Sequence, residues 1–271
     1  MHKILVLIGL SILGILTGFS HYSVNNIPNW RISDASSLNW AGYYTTGSSY
    51  TIASAYWVVP KLSNRTTGYS SAWIGIGGVN GNGLIQTGTE QDCLSGSTSG
   101  TEPRFHGPVL ADRPTGSVSG PNKGGGSKIC KKIYYAWWET YPINAEQKIS
   151  MIVSPGDLMY ASVSQISSGV WNIHLEDKTH PQSFNTTVNF NPDTSTAEAI
   201  IERPSLCFVS CRLTNLANFS TIHFSNTSAG DYFNNLNHVP ITMVDNGGNG
   251  MAVPGVLSTR GTFDVTWLRS S

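Results

Sequence analysis

From Leu38 onward the chain is a series of short runs rich in β-branched and aromatic residues, divided by clusters of Gly, Pro, Asn and Ser. No window sustains a helical period, so the fold must come from strands. The clearest candidates are Ser54 to Val59, Ser71 to Gly77, Ile133 to Tyr141, Ile149 to Val153, Leu158 to Gln165 and Val170 to Glu176. Further on come Ser183 to Phe190, Thr196 to Glu202, Thr221 to Phe224, Val239 to Val244 and Thr262 to Leu268. One short turn of helix is expected over Leu213 to Phe219. So many short strands predict an all-β, antiparallel β-sandwich of jelly-roll, concanavalin-like type with two packed sheets. The stretch from Cys93 to Lys132 breaks the pattern, being long and rich in Gly, Ser and Pro. It reads either as an insertion near a binding face or as a plain surface excursion.

Before Leu38 the chain reads differently. Lys3 precedes an apolar run from Ile4 to Leu16, and small residues follow at Thr17, Gly18 and Ser20. The run falls short of the roughly twenty residues of a membrane span, so residues 1–21 are expected to be an export signal, or else an uncleaved N-terminal anchor. Residues 22–37 make a short leader, and 38–271 a single domain. A secreted, extracellular location follows. Four cysteines suit an exported protein; Cys93 with Cys130 and Cys207 with Cys211 is the preferred pairing among three possible ones. Asn64, Asn185, Asn218 and Asn226 open glycosylation sequons.

Composition narrows the partners. Lys plus Arg equals Asp plus Glu at 16 each, which gives no basic face for nucleic acid. Charged residues make up only 12% of the chain, so its net charge changes little as carboxylates protonate. That suits work in acid, and equally a merely polar, glycosylated surface. Several catalytic arrangements lack their motifs. There is no Asp-Thr-Gly or Asp-Ser-Gly, no His-Glu-x-x-His and no Gly-x-Ser-x-Gly. The cysteine spacings do not suit a metal site, and no histidine stands beside them.

Four segments in order carry a resemblance. They are Asn39-Trp40-Ala41-Gly42-Tyr43; Ala72 to Gly78 leading into Leu84-Ile85-Gln86-Thr87-Gly88; Tyr135 to Pro142; and Ala197-Glu198-Ala199-Ile200-Ile201-Glu202-Arg203-Pro204. Together with a final strand in Leu257 to Trp267, they resemble the glutamic peptidases called eqolisins, over roughly residues 38 to 268. The resemblance implies an acid-active, pepstatin-insensitive endopeptidase acting on polypeptides as a monomer, without cofactor or metal. It implies Gln86 and Glu202 as the catalytic residues, Trp40 and Trp73 as cleft lining, and Glu139 near the site. Three departures stand out: Gly77 where an acidic residue is frequent, Tyr135 where an Asp is frequent, and a short leader where a large propeptide is usual.

The chemistry can also be argued from below. Alternate strand residues share a face, so Glu198, Ile200 and Glu202 point one way and Ala197, Ala199 and Ile201 the other. Leu84, Gln86 and Gly88 likewise share a face. A carboxylate in so apolar a strand is costly unless it is hydrogen-bonded or functional. Glu202 would activate water as general base and return its proton to the leaving amine, while the Gln86 amide donates to the oxyanion. With a reference value of about 4.3, such a glutamate is partly ionised in mild acid. Glu198, about 13 Å along the strand from Glu202, is read as structural. Without the resemblance, Gln86 and Glu202 are ordinary strand residues and the tryptophans ordinary core. Two other readings remain open: a jelly-roll glycoside hydrolase using Glu139 and Glu202, and a non-catalytic carbohydrate-binding domain.

Overall fold

The computed structural model describes residues 36–95, 105–106, 130–207 and 211–271. The expected signal, the leader up to residue 35 and most of the 93–132 stretch lie outside the described residues. The first strands are β1 (Ser36–Ser37), β2 (Trp40–Thr46), β3 (Ile52–Val58), β4 (Gly68–Gly77), β5 (Leu84–Leu94) and β6 (Phe105–His106). Next come β7 (Lys131–Tyr141), β8 (Asn144–Ile149), β9 (Leu158–Ser167), β10 (Val170–Asp177), β11 (Gln182–Asn189) and β12 (Thr196–Glu202). The last are β13 (Ser205–Cys207), β14 (Cys211–Leu213), β15 (Thr221–Ser228), β16 (His238–Val244), β17 (Gly250–Pro254) and β18 (Phe263–Trp267).

Two layers form from one continuous path. The front sheet runs β16-β2-β12-β4-β5-β7-β8, and the back sheet β11-β10-β9-β3-β15-β18-β17-β16. Strand β16 serves both: His238 to Ile241 pair with β2, while Met243 and Val244 pair with β17. Neighbours along this path are antiparallel; the short β1 pairs parallel to β16. The expected all-β sandwich is therefore the fold. Ser36 and Ser37, placed in the leader by sequence, belong to its sheet.

Strand alternation builds the core between the layers. From the front sheet come Ala41, Tyr43, Ala72, Ile74, Ile76, Ile85, Ala136, Ala197, Ala199 and Ile201; the back sheet answers with Trp57, Met159, Val163, Trp171, Ile173 and Phe224. Small residues on β2, β4 and β12 admit the large aromatics opposite. The Cys93–Cys130 disulfide forms as preferred. Cys207 and Cys211 face each other in register across β13 and β14.

Two expected elements do not form. Residues 150–153 bury Met151 and Val153 and expose Ile152, as a strand would, yet they pair with no neighbouring strand; β8 ends at Ile149. The alternation there records burial alone. Leu213 to Phe219 is not helical. Its amides reach outward instead, Leu216 to the Ser270 carbonyl and Ala217 to that of Tyr69, so the buried Leu216 and Phe219 anchor an irregular connection.

Candidate active site

The front sheet has a second buried cluster on its other face, made of Trp40, Trp73, Leu84, Tyr135, Trp137, Ile200 and Ile241. All five residues singled out from sequence share this front face, by strand parity. The register arranges them in rows. One row is Glu198, Gly75, Gln86 and Glu139 across β12, β4, β5 and β7. The next is Ile200, Trp73, Gly88 and Trp137, and the third is Glu202, Ser71, Glu90 and Tyr135. Gly88, without a side chain, lies between the two indoles, and Trp137 reaches across this strand to donate from Nε1 to Ser71 Oγ at 3.0 Å.

Gln86 is fully buried and donates from Nε2 to Glu139 Oε2 at 2.6 Å, which orients the amide. Its Oε1 is buried without a hydrogen-bond partner, and one Nε2 hydrogen remains beyond the bond to Glu139. Gly75 beside it keeps the floor flat. A Cβ there would stand 2.8 Å from the Ile85 carbonyl and 3.1 Å from the Gln86 Cβ.

Glu202 lies in the third row, buried, and accepts from Asn39 Nδ2 at 3.0 Å and Trp73 Nε1 at 2.9 Å. Burial pushes its carboxyl up to about 7 against those donors. The Trp40 indole also lowers it from nearby, although its Nε1 makes no hydrogen bond of its own. Trp40 meets Trp73 edge-on with ring centres 5.1 Å apart. The structure therefore joins Glu202, Trp73, Trp40 and Asn39 in one group and Gln86 with Glu139 in another. On strand spacings, the Gln86 and Glu202 Cα atoms stand about 17 Å apart, with Trp73 midway.

Sequence reasoning missed the other carboxyls. Glu198, set aside as structural, sits in the row of Gln86 about 10 Å away across Gly75, with both carboxyl oxygens buried and unpartnered. Burial raises its pKa, opposed by Thr196. Glu90 is buried with both oxygens lacking a hydrogen bond; burial, then Asp92 and Glu146, push it well above the usual range. Burial holds Glu146 at about 8 despite Tyr135. Parity along β5 is the signal that finds Glu90 and Asp92, since both alternate with Gln86 and Gly88. Asn39, quoted only as part of a motif, proves to be a donor to Glu202. At Gly77 the φ of +95° and a would-be Cβ 2.2 Å from the Gly83 carbonyl leave no room for the acidic side chain frequent there. Tyr135 lies beneath the Lys148 ammonium, 4.2 Å from its ring centre.

This architecture has counterparts among solved structures. Scytalido-glutamic peptidase, solved with a transition state analog inhibitor, superposes with a TM-score of 0.62 at 20% identity, over 85% of this chain and 98% of that one. SCP-B, an eqolisin solved with the tripeptide Ala-Ile-His, gives 0.59 at 18% identity, over 85% and 98%. Aspergilloglutamic peptidase from Aspergillus niger gives 0.53 at 22%, over 74% of this chain and 99% of that one. At these identities the likeness is one of fold. No curated protein matches the chain. The sequence model of the Peptidase A4 family matches residues 38–102 and 123–266, with its break inside the Gly-, Ser- and Pro-rich stretch. Spanning that match through nearly all of its sandwich, the chain belongs to the Peptidase A4 family, the eqolisins.

Proposed function

We propose that the chain is an exported, acid-acting endopeptidase in which Glu202 is the general base and Gln86 stabilises the oxyanion. A substrate peptide would lie across the front face, against the row of Trp73 and Trp137. Glu202 would take a proton from the attacking water, and the free Nε2 hydrogen of Gln86 would meet the developing negative oxygen. The observation that carries this assignment is the unequal treatment of buried carboxyls. Glu202 receives two neutral N–H donors, whereas Glu90 and Glu198 have no hydrogen bond. Raising the pH from acid therefore ionises Glu202 before Glu90 and Glu198, giving a base beside two neutral acids. A base with a value near 7 is still about 1% ionised two units lower, so activity in mild acid is consistent with it.

One observation favours a second assignment of the base. Glu198 shares the row of Gln86, and both of its carboxyl oxygens are buried without a hydrogen bond. Hydrolysis of a protein substrate from about pH 2 to 7, with Glu202→Gln beside Glu198→Gln, decides between them. The leading assignment expects a folded Glu202→Gln at least about 100-fold slower and Glu198→Gln near wild type. The reverse pattern moves the base to Glu198; an inert wild type removes the peptidase reading. The glycoside hydrolase alternative fares poorly. Glu139 and Glu202 stand about 20 Å apart between Cα atoms, farther than Gln86 from Glu202, and each is turned to its own partner.

A further inference from the structure

Outside the front face, three ligating side chains converge at one end of the back sheet. Asp157 ends the connection from β8 to β9, Asp177 ends β10, and His180 lies in the turn to β11. Both carboxylates are buried, at 3% and 0% exposure, while the imidazole is 61% exposed. This is therefore no surface patch of acidic residues. Asp177 Oδ1 accepts the amides of Thr179 and His180, and Asp157 Oδ2 accepts that of Ser154. The two remaining oxygens face one nitrogen: His180 Nδ1 lies 3.2 Å from Asp177 Oδ2 and 3.3 Å from Asp157 Oδ1.

One imidazole N–H can serve only one of these oxygens well. It hydrogen-bonds Asp177 Oδ2, and Asp157 Oδ1 is left with an ion-pair contact and no hydrogen bond. The nearest lysine in sequence, Lys178, is engaged by Glu176. The other oxygen of each carboxylate is held by backbone amides, so the two inner oxygens are fixed on one nitrogen. The two N···O spacings of 3.2 and 3.3 Å suit ligands of one ion, and all three ligating atoms lie within 4.8 Å of one another. Tetrahedral bonds of about 2.0–2.1 Å to N and O ligands put those ligands about 3.3 Å apart.

We propose that Asp157, Asp177 and His180 form a structural site for a divalent transition ion of the zinc type. The two carboxylates and Nδ1 supply three ligands, and the exposed side leaves a position for water. The backbone amides on the outer oxygens hold the inner ones in place. A nitrogen ligand and only two carboxylates disfavour calcium, which takes six to eight oxygens. The ion would tie the start of β9 to the β10–β11 turn, and the site is independent of the peptidase assignment.

The test is calorimetric titration of the full-length, untagged chain, stripped with chelator, with Zn²⁺ and with Ca²⁺ at neutral pH. Wild type should bind one Zn²⁺ and melt at a higher temperature with it. His180→Ala, at an exposed position that the fold tolerates, should bind at least tenfold more weakly and lose the shift in melting. His180→Gln should behave like His180→Ala. No saturable Zn²⁺ binding, equal affinity in the His180 variants, or Ca²⁺ binding as tight as Zn²⁺ would each overturn the proposal.

Discussion

The two faces of the front sheet are made by the same strands and treated in opposite ways. On strand β12 the inward residues are Ala197, Ala199 and Ile201, packed against the back sheet, while Glu198, Ile200 and Glu202 face out. Both sets are buried. The inner face has apolar groups that gain from leaving water. The front face holds carboxyls and an amide whose lone pairs lack partners, an arrangement that costs stability. One alternation thus separates the residues that hold the sandwich together from those that the fold keeps at a cost. Groups of the second kind are the ones to suspect of chemistry.

Each side of this comparison can be broken separately. The largest effect expected is on the front face, where Gln86→Ala should lower kcat by about 100- to 1000-fold and leave KM nearly unchanged. Steady-state kinetics on a peptide substrate checks it, and an equal loss through KM would make Gln86 a binding residue instead. On the inner face, Ile201→Ala should cost about 2–5 kcal/mol in urea unfolding while the folded fraction keeps its turnover. A loss of turnover per folded molecule would show that the two faces are not separable.

The pH dependence of stability sharpens the contrast. Glu146 and Glu202 are held at about 8 and about 7, above their unfolded value, so the folded state binds more protons than the unfolded one between about 4.5 and 8. Their contribution is complete below about 4.5 and is lost as pH rises through the folded values, on the order of a few kcal/mol in all. Unfolding free energies at about pH 4 and pH 8 should show this fall, and Glu146→Gln should flatten it. The smallest effect belongs to Asn39. Removing one of the two donors to Glu202 with Asn39→Ala should raise the Glu202 pKa further, shift the acid limb of the rate profile to higher pH, and cost about 1–2 kcal/mol of stability. An unmoved acid limb would mean that Glu202 does not govern it.

Much of this molecule was legible along the chain because a strand repeats every two residues. That period alone set Gln86 and Glu202 on faces that exclude their neighbours, and it identified the sandwich from runs such as Thr196 to Glu202. Where it failed, at residues 150–153, the alternation was present but no strand lay alongside to pair with it. Pairing is a property of two segments, and no single segment carries it. The same limit applies at the site. Parity assigns a face, but the row a residue occupies depends on register between strands distant in sequence. Only the tertiary structure placed Glu198 in the row of Gln86, gave Glu202 its donors from Asn39 and Trp73, and brought Asp157 to within reach of Asp177 and His180.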